Sequence, residues 1–233
     1  MAALEKKILS DSKRIVIKVG SALIKGDDIN LINEIILTRI VKEIIKLNEA
    51  GKEILLVSSG ALALGKKSLK VKRNNLKVSE KQAAASVGQV LLINAWKKAF
   101  LKYKKQCGQI LLTHLDAEIR SSAINARNTI ESLFKLNSIP IINENDSVAT
   151  QELRYGDNDQ LAARVAQITS SDLLIILSDV DGLYTSNPKK SSDACLIKYI
   201  DRITKSIEKQ AENTSSSIAV GGMKTKIKAA KIA

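Results

Sequence analysis

Short apolar runs alternate with longer amphipathic stretches along most of this chain. Five runs dominated by Ile, Leu and Val predict β-strands, at 14–19, 53–57, 109–113, 139–142 and 173–177. Between them, apolar residues recur at helical spacing and predict helices over 31–47, 80–103, 125–136 and 159–169. Gly51 is expected to end the first helix as a cap, and Val87, Val90, Leu91 and Ile93 are expected to be the apolar positions of the second.

Strands that are nearly all apolar and alternate with helices indicate a mainly parallel sheet whose two faces are both covered. The predicted fold class is therefore α/β, a three-layer αβα sandwich. No internal repeat and no linker divides the sequence, so residues 1–233 are expected to belong to one domain.

A polar or glycine-containing segment follows four of the predicted strands: Gly20-Ser21, Ser58-Ser59-Gly60, 143–159 and 178–182. In a parallel sheet the carboxyl ends of the strands meet at one edge, where ligands bind. The polar loop 143–159 holds three aspartates, two glutamates and three asparagines but no lysine, although the chain has a formal net charge of +13. This contrast predicts a site for a small molecule with a positive group.

The positive charge is concentrated in two lysine-rich stretches, 66–81 and 97–105. Nucleic-acid binding is one interpretation of them. Aromatic residues are not interleaved with these charges and no helix-turn-helix or zinc-finger pattern occurs, so a solvated surface is preferred. No apolar run reaches the roughly 18 residues of a membrane span, and the N-terminal stretch lacks the apolar segment of a signal peptide. A cytoplasmic protein with no membrane or nucleic-acid partner is expected.

Cysteine and histidine are too scarce for several kinds of site. Cys107 and Cys195 lie far apart without a CxxC motif, which argues against a cysteine zinc site or a disulfide scaffold. They are expected to be reduced, buried thiols. His114 is the only histidine, so a histidine-rich metal site is excluded, and its neighbours predict a strand-end residue without a chemical role.

Three glycine-lysine elements could face phosphate. Lys18 interrupts an apolar strand before a Gly-Ser turn, either to contact an anion or as an edge-strand lysine that reaches water. The stretch 220–226 (VGGMKTK) is either a phosphate-binding Gly-Gly turn opening a basic helix or an ordinary loop before a surface helix. The stretch 60–66 resembles a P-loop but has Lys67 where Ser or Thr would bind Mg²⁺. It is interpreted as a chance match whose glycines serve a strand-to-helix turn.

Two phosphate-type elements and one acidic loop together indicate phosphoryl transfer. Lys18 and Lys226 would neutralise charge on the transferring group, and a central carboxylate, Asp157 or Asp159, would orient them. A carboxylate acceptor needs no general base, because it is already ionised at neutral pH. The pattern therefore favours a kinase that forms an acyl phosphate.

Six motifs, in order along nearly the whole chain, resemble those of the amino acid kinase family. They are 16–21 (VIKVGS), 57–61 (VSSGA), 141–150 (IINENDSVAT), 156–159 (GDND), 177–184 (LSDVDGLY) and 221–226 (GGMKTK). The Ser-Ser-Gly-Ala and Asn-Glu-Asn-Asp sequences are similar to the branch that phosphorylates the γ-carboxylate of L-glutamate, the first step of proline biosynthesis. The resemblance implies the amino acid kinase fold, with ATP and Mg²⁺ as cofactors and L-glutamate as substrate.

The resemblance also implies roles for individual residues. The catalytic residues would be Lys18, Lys226 and Asp159, with Asp159 holding both lysines. Glutamate would contact Ser59, Gly60, Asp146 and Asn158, with Asp146 facing its ammonium group. ATP would contact Lys18, Gly20, Ser178, Asp179, Val220, Gly221, Gly222, Met223, Lys224, Thr225 and Lys226, and backbone N–H groups of Gly20 and Gly60 would act as donors. No protein ligand to a metal is implied, since Mg²⁺ would be held largely by phosphates and water.

The partners implied by the resemblance are proline as a feedback inhibitor, further copies of the chain in a dimer or tetramer, and glutamate 5-semialdehyde dehydrogenase as recipient of the product. Two features depart from the family pattern. Val220 stands where Thr is usual, which removes one hydroxyl contact to the nucleotide. The sequence also stops at Ala233 within a predicted helix, so the kinase domain is expected to be incomplete at its C-terminus and to lack a PUA domain. A nucleic-acid-binding module and a catalytically silent amino-acid sensor on the same fold remain as alternatives.

Overall fold

A five-stranded parallel sheet forms the centre of the part of the chain that the structure describes. The structure is a computed structural model, and it describes residues 3–27, 31–73, 75–149, 158–188, 191–214 and 222–233. The strands are β1 (Arg14–Val19), β2 (Glu53–Ser58), β3 (Gln106–Leu112), β4 (Ser138–Glu144) and β5 (Leu173–Leu177). Their spatial order is β3-β4-β2-β1-β5, and every neighbouring pair is parallel. Each strand was predicted at this place from its apolar run.

Helices connect the strands and flank the sheet. They are α1 (Ala3–Asp11), α2 (Ser21–Ile24), α3 (Glu34–Glu49), α4 (Ala61–Ser68), α5 (Val78–Leu101), α6 (His114–Glu118), α7 (Arg120–Lys135), α8 (Asn158–Ile168), α9 (Lys205–Thr214) and α10 (Met223–Ile232). In α3 the buried residues Leu37, Val41, Ile44 and Ile45 recur at helical spacing and form a single apolar stripe. Among the described helices, none combines the length and the apolar character needed to cross a membrane.

Two apolar clusters cover the two faces of the sheet, which confirms the predicted three-layer α/β fold. On β1 the residues alternate between the faces: Ile15 and Ile17 pack with α3 and α5, whereas Val16 packs with α7 and α8. Lys18 lies two residues after Val16 on the same strand, so it belongs to the face that α8 covers. A third cluster, around Leu183, joins α9 and α10 to the segment that follows β5.

Helices α4 and α5 pack at very short range because glycines face each other across their contact. A Cβ atom on Gly65 would lie 1.6 Å from Ala84 O, and one on Gly88 would lie 1.8 Å from Ala61 O. Gly60, with φ of 109°, does make the strand-to-helix turn that was predicted. The interpretation of Gly65 as a turn residue was wrong, since it lies inside α4 and allows two backbones to touch.

Several local predictions were also wrong. Cys107 is half-buried and Cys195 is exposed, since Cys195 lies in the irregular segment after β5, so the two thiols are not both buried. His114 is the first residue of α6, capped by the Thr113 side chain, rather than a strand-end residue. Val87 and Val90 on α5 are exposed, because the packed face of this helix is formed by its alanines, Gly88 and larger residues near its end. The polar loop 143–159 is shorter than expected. Asn143 and Glu144 belong to β4, Asn158 and Asp159 open α8, and residues 150–157 lie outside the described part.

Candidate active site

Two lysines from distant parts of the chain meet one buried aspartate at the carboxyl edge of the sheet. Lys18 comes from β1, Asp159 from the first turn of α8, and Lys226 from the first turn of α10. Lys18 Nζ lies 2.5 Å from Asp159 Oδ1, and Lys226 Nζ lies 3.1 Å from Asp159 Oδ2. The side chains of Lys18 and Asp159 are 6% and 1% exposed, and that of Lys226 is 15% exposed.

The position of Lys18 distinguishes between its two sequence interpretations. β1 pairs with β2 on one side and with β5 on the other, so Lys18 lies in an interior strand of the sheet. The alternative of an edge-strand lysine that reaches water was therefore wrong. A buried lysine is costly without a counter-charge, and Asp159 supplies that charge.

Two cations, Lys18 and Lys226, both pair with the carboxylate of Asp159. Burial alone would raise the pKa of Asp159, but the charges and hydrogen bonds of Lys18 and Lys226 outweigh it and lower the pKa below its ordinary value. Asp159 is therefore ionised at neutral pH. Its position at the start of α8 also places its carboxylate at the positive end of a helix dipole.

Thr225 joins the same cluster in a role that the sequence did not indicate. Its Oγ1 lies 3.0 Å from Asp159 Oδ2 and 2.8 Å from Gly222 O, so its hydroxyl donates within the protein. Thr225 was predicted only as an ATP contact. The structure makes it a partner of the carboxylate that pairs both lysines.

The carboxyl ends of β1 and β5 bring other residues that were predicted to contact ATP close to Lys18. Ser178 and Asp179 directly follow β5, and Ser178 Oγ donates to Asp179 Oδ1 at 3.1 Å. Gly20 follows β1, but its N–H donates to Leu177 O at 3.1 Å. The prediction that this N–H faces an anion was therefore wrong. A Cβ at position 20 would lie 3.3 Å from Leu177 O, a tight contact that glycine avoids at this pairing of β1 with β5.

Helix α10 contributes the remaining described residues of the predicted nucleotide stretch. Gly222 is its N-cap, and Met223, Lys224, Thr225 and Lys226 form its first turn. Val220 and Gly221 lie outside the described residues, as does Asp157, the other carboxylate considered as partner of the lysines. Helix α10 packs against α8, which explains how Lys226 reaches Asp159.

The predicted substrate residues lie at the carboxyl ends of β2 and β4. Asn158 Nδ2 lies 2.9, 3.0 and 2.9 Å from Ser58 O, Ser59 Oγ and Asn143 Oδ1, so its two N–H groups are shared among three acceptors. Since Asn158 directly precedes Asp159, this group adjoins the lysine cluster. Gly60, which follows Ser59, is the N-cap of α4.

Asp146 lies just beyond β4, in a cavity of about 320 Å³ that Gln89 and Glu144 also line. Burial raises the pKa of Asp146 to about 6, so it is still largely ionised at neutral pH.

Gln89 and Trp96 belong to this region, although the sequence did not mark them as site residues, whereas Asn143 lies in the loop that was predicted to hold the site. Asn143 Nδ2 donates to Gln89 Oε1 at 2.6 Å, and Trp96 Nε1 donates to Ser58 Oγ at 2.9 Å. Across the described ranges, no group of three or more His, Cys, Asp or Glu side chains could hold a metal ion.

Comparison with known proteins adds a family and a set of relatives. The model of the amino acid kinase family matches residues 13–233. Glutamate 5-kinase of Pelagibacter ubique (strain HTCC1062) is 52% identical over 224 residues, which are 96% of this chain and 61% of that protein. Glutamate 5-kinase of Bradyrhizobium diazoefficiens is 48% identical over 225 residues, 97% of this chain and 60% of that protein. The chain thus spans about 60% of the length of the curated relatives it matches.

Two solved structures share the fold of this chain. UMP kinase from Bacillus anthracis superposes with a TM-score of 0.61 at 16% identity, covering 94% of this chain and 83% of that one. UMP kinase from Ureaplasma parvum gives a TM-score of 0.61 at 19% identity, covering 94% and 85%. At these identities the likeness concerns the fold alone.

Proposed function

The chain belongs to the amino acid kinase family, and from that premise we propose that it transfers the γ-phosphoryl group of ATP to the γ-carboxylate of L-glutamate. The products are γ-glutamyl phosphate and ADP. The observation that carries the proposal is the convergence of Lys18 and Lys226 on the single buried carboxylate of Asp159. The relatives named glutamate 5-kinase support the choice of acceptor.

In the proposed reaction a γ-carboxylate oxygen of glutamate attacks the γ-phosphorus of ATP. A new P–O bond forms to that oxygen while the bond from the γ-phosphorus to the bridging oxygen breaks, and ADP leaves with the electron pair. No proton is transferred, because the acceptor is an anion at neutral pH. The sole histidine fits this scheme, since His114 follows β3, which two strands separate from Lys18 on β1.

Lys18 and Lys226 neutralise negative charge on the transferring group and on the bridging oxygen. Asp159 holds both ammonium groups so that they need not reorganise when the reaction begins. Because the side chains of Lys18 and Lys226 are only 6% and 15% exposed, their charges attract a phosphoryl group more strongly than those of exposed lysines would.

The acceptor amino acid is proposed to bind next to this cluster, between Ser59, Gly60, Asp146 and Asn158. Asp146 provides a negative charge for the ammonium group of glutamate. Asn158 and Ser59 already share a hydrogen bond that fixes their relative positions. Asn158 and Asp159 adjoin in the chain, which couples substrate placement to the catalytic lysines.

ATP is proposed to bind as its Mg²⁺ complex, over the carboxyl ends of β1 and β5. Mg²⁺ would be held largely by phosphate oxygens and water, as this ion prefers. Ser178 and Asp179 are proposed to line the nucleotide pocket, and the stretch 220–226 to close over it.

The location, regulation and assembly of the enzyme can be proposed from the same family membership. We propose a cytoplasmic enzyme that is inhibited by proline and that assembles as a dimer or tetramer. An acyl phosphate is prone to hydrolysis, so its direct delivery to glutamate 5-semialdehyde dehydrogenase is proposed as well.

The test uses the protein at its full natural length with ATP, Mg²⁺ and one acceptor at a time, trapping acyl phosphate with hydroxylamine. Glutamate is expected to give the γ-hydroxamate. Turnover with only acetylglutamate, aspartate or UMP would reject glutamate as the substrate.

A further inference from the structure

Three side-chain amides form a chain of hydrogen bonds from α5 to the proposed acceptor site; we call it the amide relay. Gln89 Oε1 accepts from Asn143 Nδ2 at 2.6 Å, and Asn143 Oδ1 accepts from Asn158 Nδ2 at 2.9 Å. Asn143 and Asn158 are only 2% and 4% exposed. The relay therefore ties α5 and β4 to the first residue of α8.

A backbone carbonyl fixes the direction of every amide in the relay. Asn158 Nδ2 lies 2.9 Å from Ser58 O, and a carbonyl oxygen can only accept a hydrogen bond. The amide nitrogen of Asn158 must therefore face Ser58 and Asn143. That arrangement turns Asn143 Oδ1 towards Asn158 and leaves Asn143 Nδ2 to donate to Gln89. A half-turn of one amide would bring two oxygens or two amino groups together.

With its nitrogen engaged, Asn158 offers Oδ1 as its remaining polar atom. Oδ1 is buried and accepts no hydrogen bond from the part of the chain that the structure describes. A buried acceptor without a donor is unfavourable, and a bound molecule with an N–H group relieves it. The ammonium group of an amino acid carries such donors.

We propose that Gln89 is a positioning residue for the amino-acid substrate. Through Asn143 it holds Asn158 so that Oδ1 receives an N–H of the substrate ammonium group. This inference rests on the proposed function, because it takes Asn158 as a substrate contact. Gln89 touches no reacting atom, so its loss weakens substrate binding and leaves the transfer step intact.

The test compares substitutions at Gln89 that keep or remove its acceptor oxygen, in the protein at its full natural length. Gln89→Met keeps the length of the side chain without a strong acceptor, whereas Gln89→Glu keeps an acceptor oxygen. Gln106→Met is the matched control, since Gln106 is exposed at the first residue of β3, outside both the relay and the cavity that Asp146 lines. We expect Gln89→Met to raise the glutamate KM about tenfold. In Gln89→Met the KM for ATP and kcat should stay within about twofold of wild type. Gln89→Glu and the control variant should keep the KM for glutamate, the KM for ATP and kcat close to the wild-type values.

An unchanged glutamate KM in Gln89→Met overturns the proposal. So does a combined fall in kcat, ATP affinity and thermal stability, because a merely structural role affects all of these together.

Nuclear magnetic resonance of the side-chain amides tests whether the relay exists, independently of the proposed function. In wild type the NH₂ groups of Asn143 and Asn158 should exchange slowly with solvent, because they are buried and hydrogen-bonded. Gln89→Met should speed exchange at Asn143 by about tenfold or more and shift the resonances of Asn158, whether or not glutamate is phosphorylated. If these changes occur without wild-type turnover of glutamate, the proposed function fails and the relay is supported. Unchanged Asn158 resonances in Gln89→Met overturn the relay itself.

Discussion

At the scale of single residues, Asp159 is the shared partner of two ammonium groups. Removing Lys18 leaves Asp159 paired with Lys226, whereas removing the carboxylate takes this partner from both lysines at once. The two changes should therefore have different effects on stability, even though both abolish most of the catalytic arrangement.

Lys18→Met should lower kcat by roughly a hundredfold to a thousandfold, because one group that neutralises the transferring phosphoryl is lost. Its free energy of unfolding should change by less than about 1 kcal/mol, since Asp159 keeps Lys226 as a partner. Asp159→Asn should lose similar activity and, in addition, about 3–5 kcal/mol of stability.

Steady-state kinetics and urea unfolding, followed by the fluorescence of the single tryptophan, Trp96, measure both effects. Lys42→Met, on the exposed side of α3, serves as the control. Equal stability of the Lys18 and Asp159 variants would contradict the role of Asp159 as the shared partner of both lysines.

Asp146 gives a prediction about pH. Burial raises its pKa to about 6, so its carboxylate is ionised above that pH and neutral below it. An ammonium group binds only the ionised form. At saturating MgATP, kcat/KM for glutamate should therefore fall about tenfold per pH unit below pH 6.

Asp146→Asn should lower kcat/KM at neutral pH, mainly through a higher glutamate KM, and should remove this acidic limb. Asp193→Asn, an exposed aspartate after β5, should keep the limb. A profile that is the same in Asp146→Asn and wild type would exclude Asp146 as the partner of the ammonium group.

At the scale of elements, the glycine contact between α4 and α5 supports the acceptor side of the site. Gly60 and Ser59 lead into α4, and Gln89 lies on α5 beside Gly88. A wider separation of the two helices would therefore move both sides of the proposed substrate pocket.

Gly65→Ala should destabilise the protein by about 3 kcal/mol, because its Cβ cannot fit 1.6 Å from Ala84 O unless the helices move apart. It should also raise the glutamate KM. Ala83→Ser adds one heavy atom to the exposed face of α5 and should change neither quantity. Urea unfolding of Gly65→Ala with wild-type stability would show that the helices are not held this closely.

Helices and strands could be predicted from the sequence where burial alone determines the pattern of apolar and polar residues. The strands are apolar runs because both sheet faces are covered, and they were found at their correct places. The packed face of α5 could not be found in this way, since it uses alanines and Gly88, whose small size matters for close approach rather than for hydrophobicity. Helices α4 and α6 were missed because each is short and begins directly after a strand.

At the scale of the whole molecule, the site is assembled from residues that no sequence spacing connects. Lys18 and Lys226 were predicted from neighbouring glycines, with Asp157 or Asp159 as the carboxylate that orients them, and the family resemblance selected Asp159. The sheet order and the packing of α10 on α8 bring them together. Gln89 and the second role of Thr225 could not be predicted, because both depend on contacts made only in the folded chain.

Because the site joins β1, α8 and α10, MgATP should stabilise the whole fold. At a hundredfold excess over its dissociation constant, MgATP should add about 2.7 kcal/mol to the free energy of unfolding. Lys226→Ala should lose most of this gain, whereas Lys228→Ala, exposed on the same helix, should keep it. Thermal unfolding with and without MgATP measures this; equal stabilisation of the two variants would remove Lys226 from the nucleotide site.

The central claim is that a γ-carboxylate oxygen of glutamate attacks the γ-phosphorus of ATP. Glutamate labelled with oxygen-18 in its γ-carboxylate tests this most directly, with hydroxylamine present and the released phosphate analysed by mass spectrometry. Hydroxylamine attacks the acyl carbon, so the phosphate should leave with a single oxygen-18 atom from glutamate. Phosphate that contains only unlabelled oxygen, as ATP hydrolysis by water would give, contradicts the account.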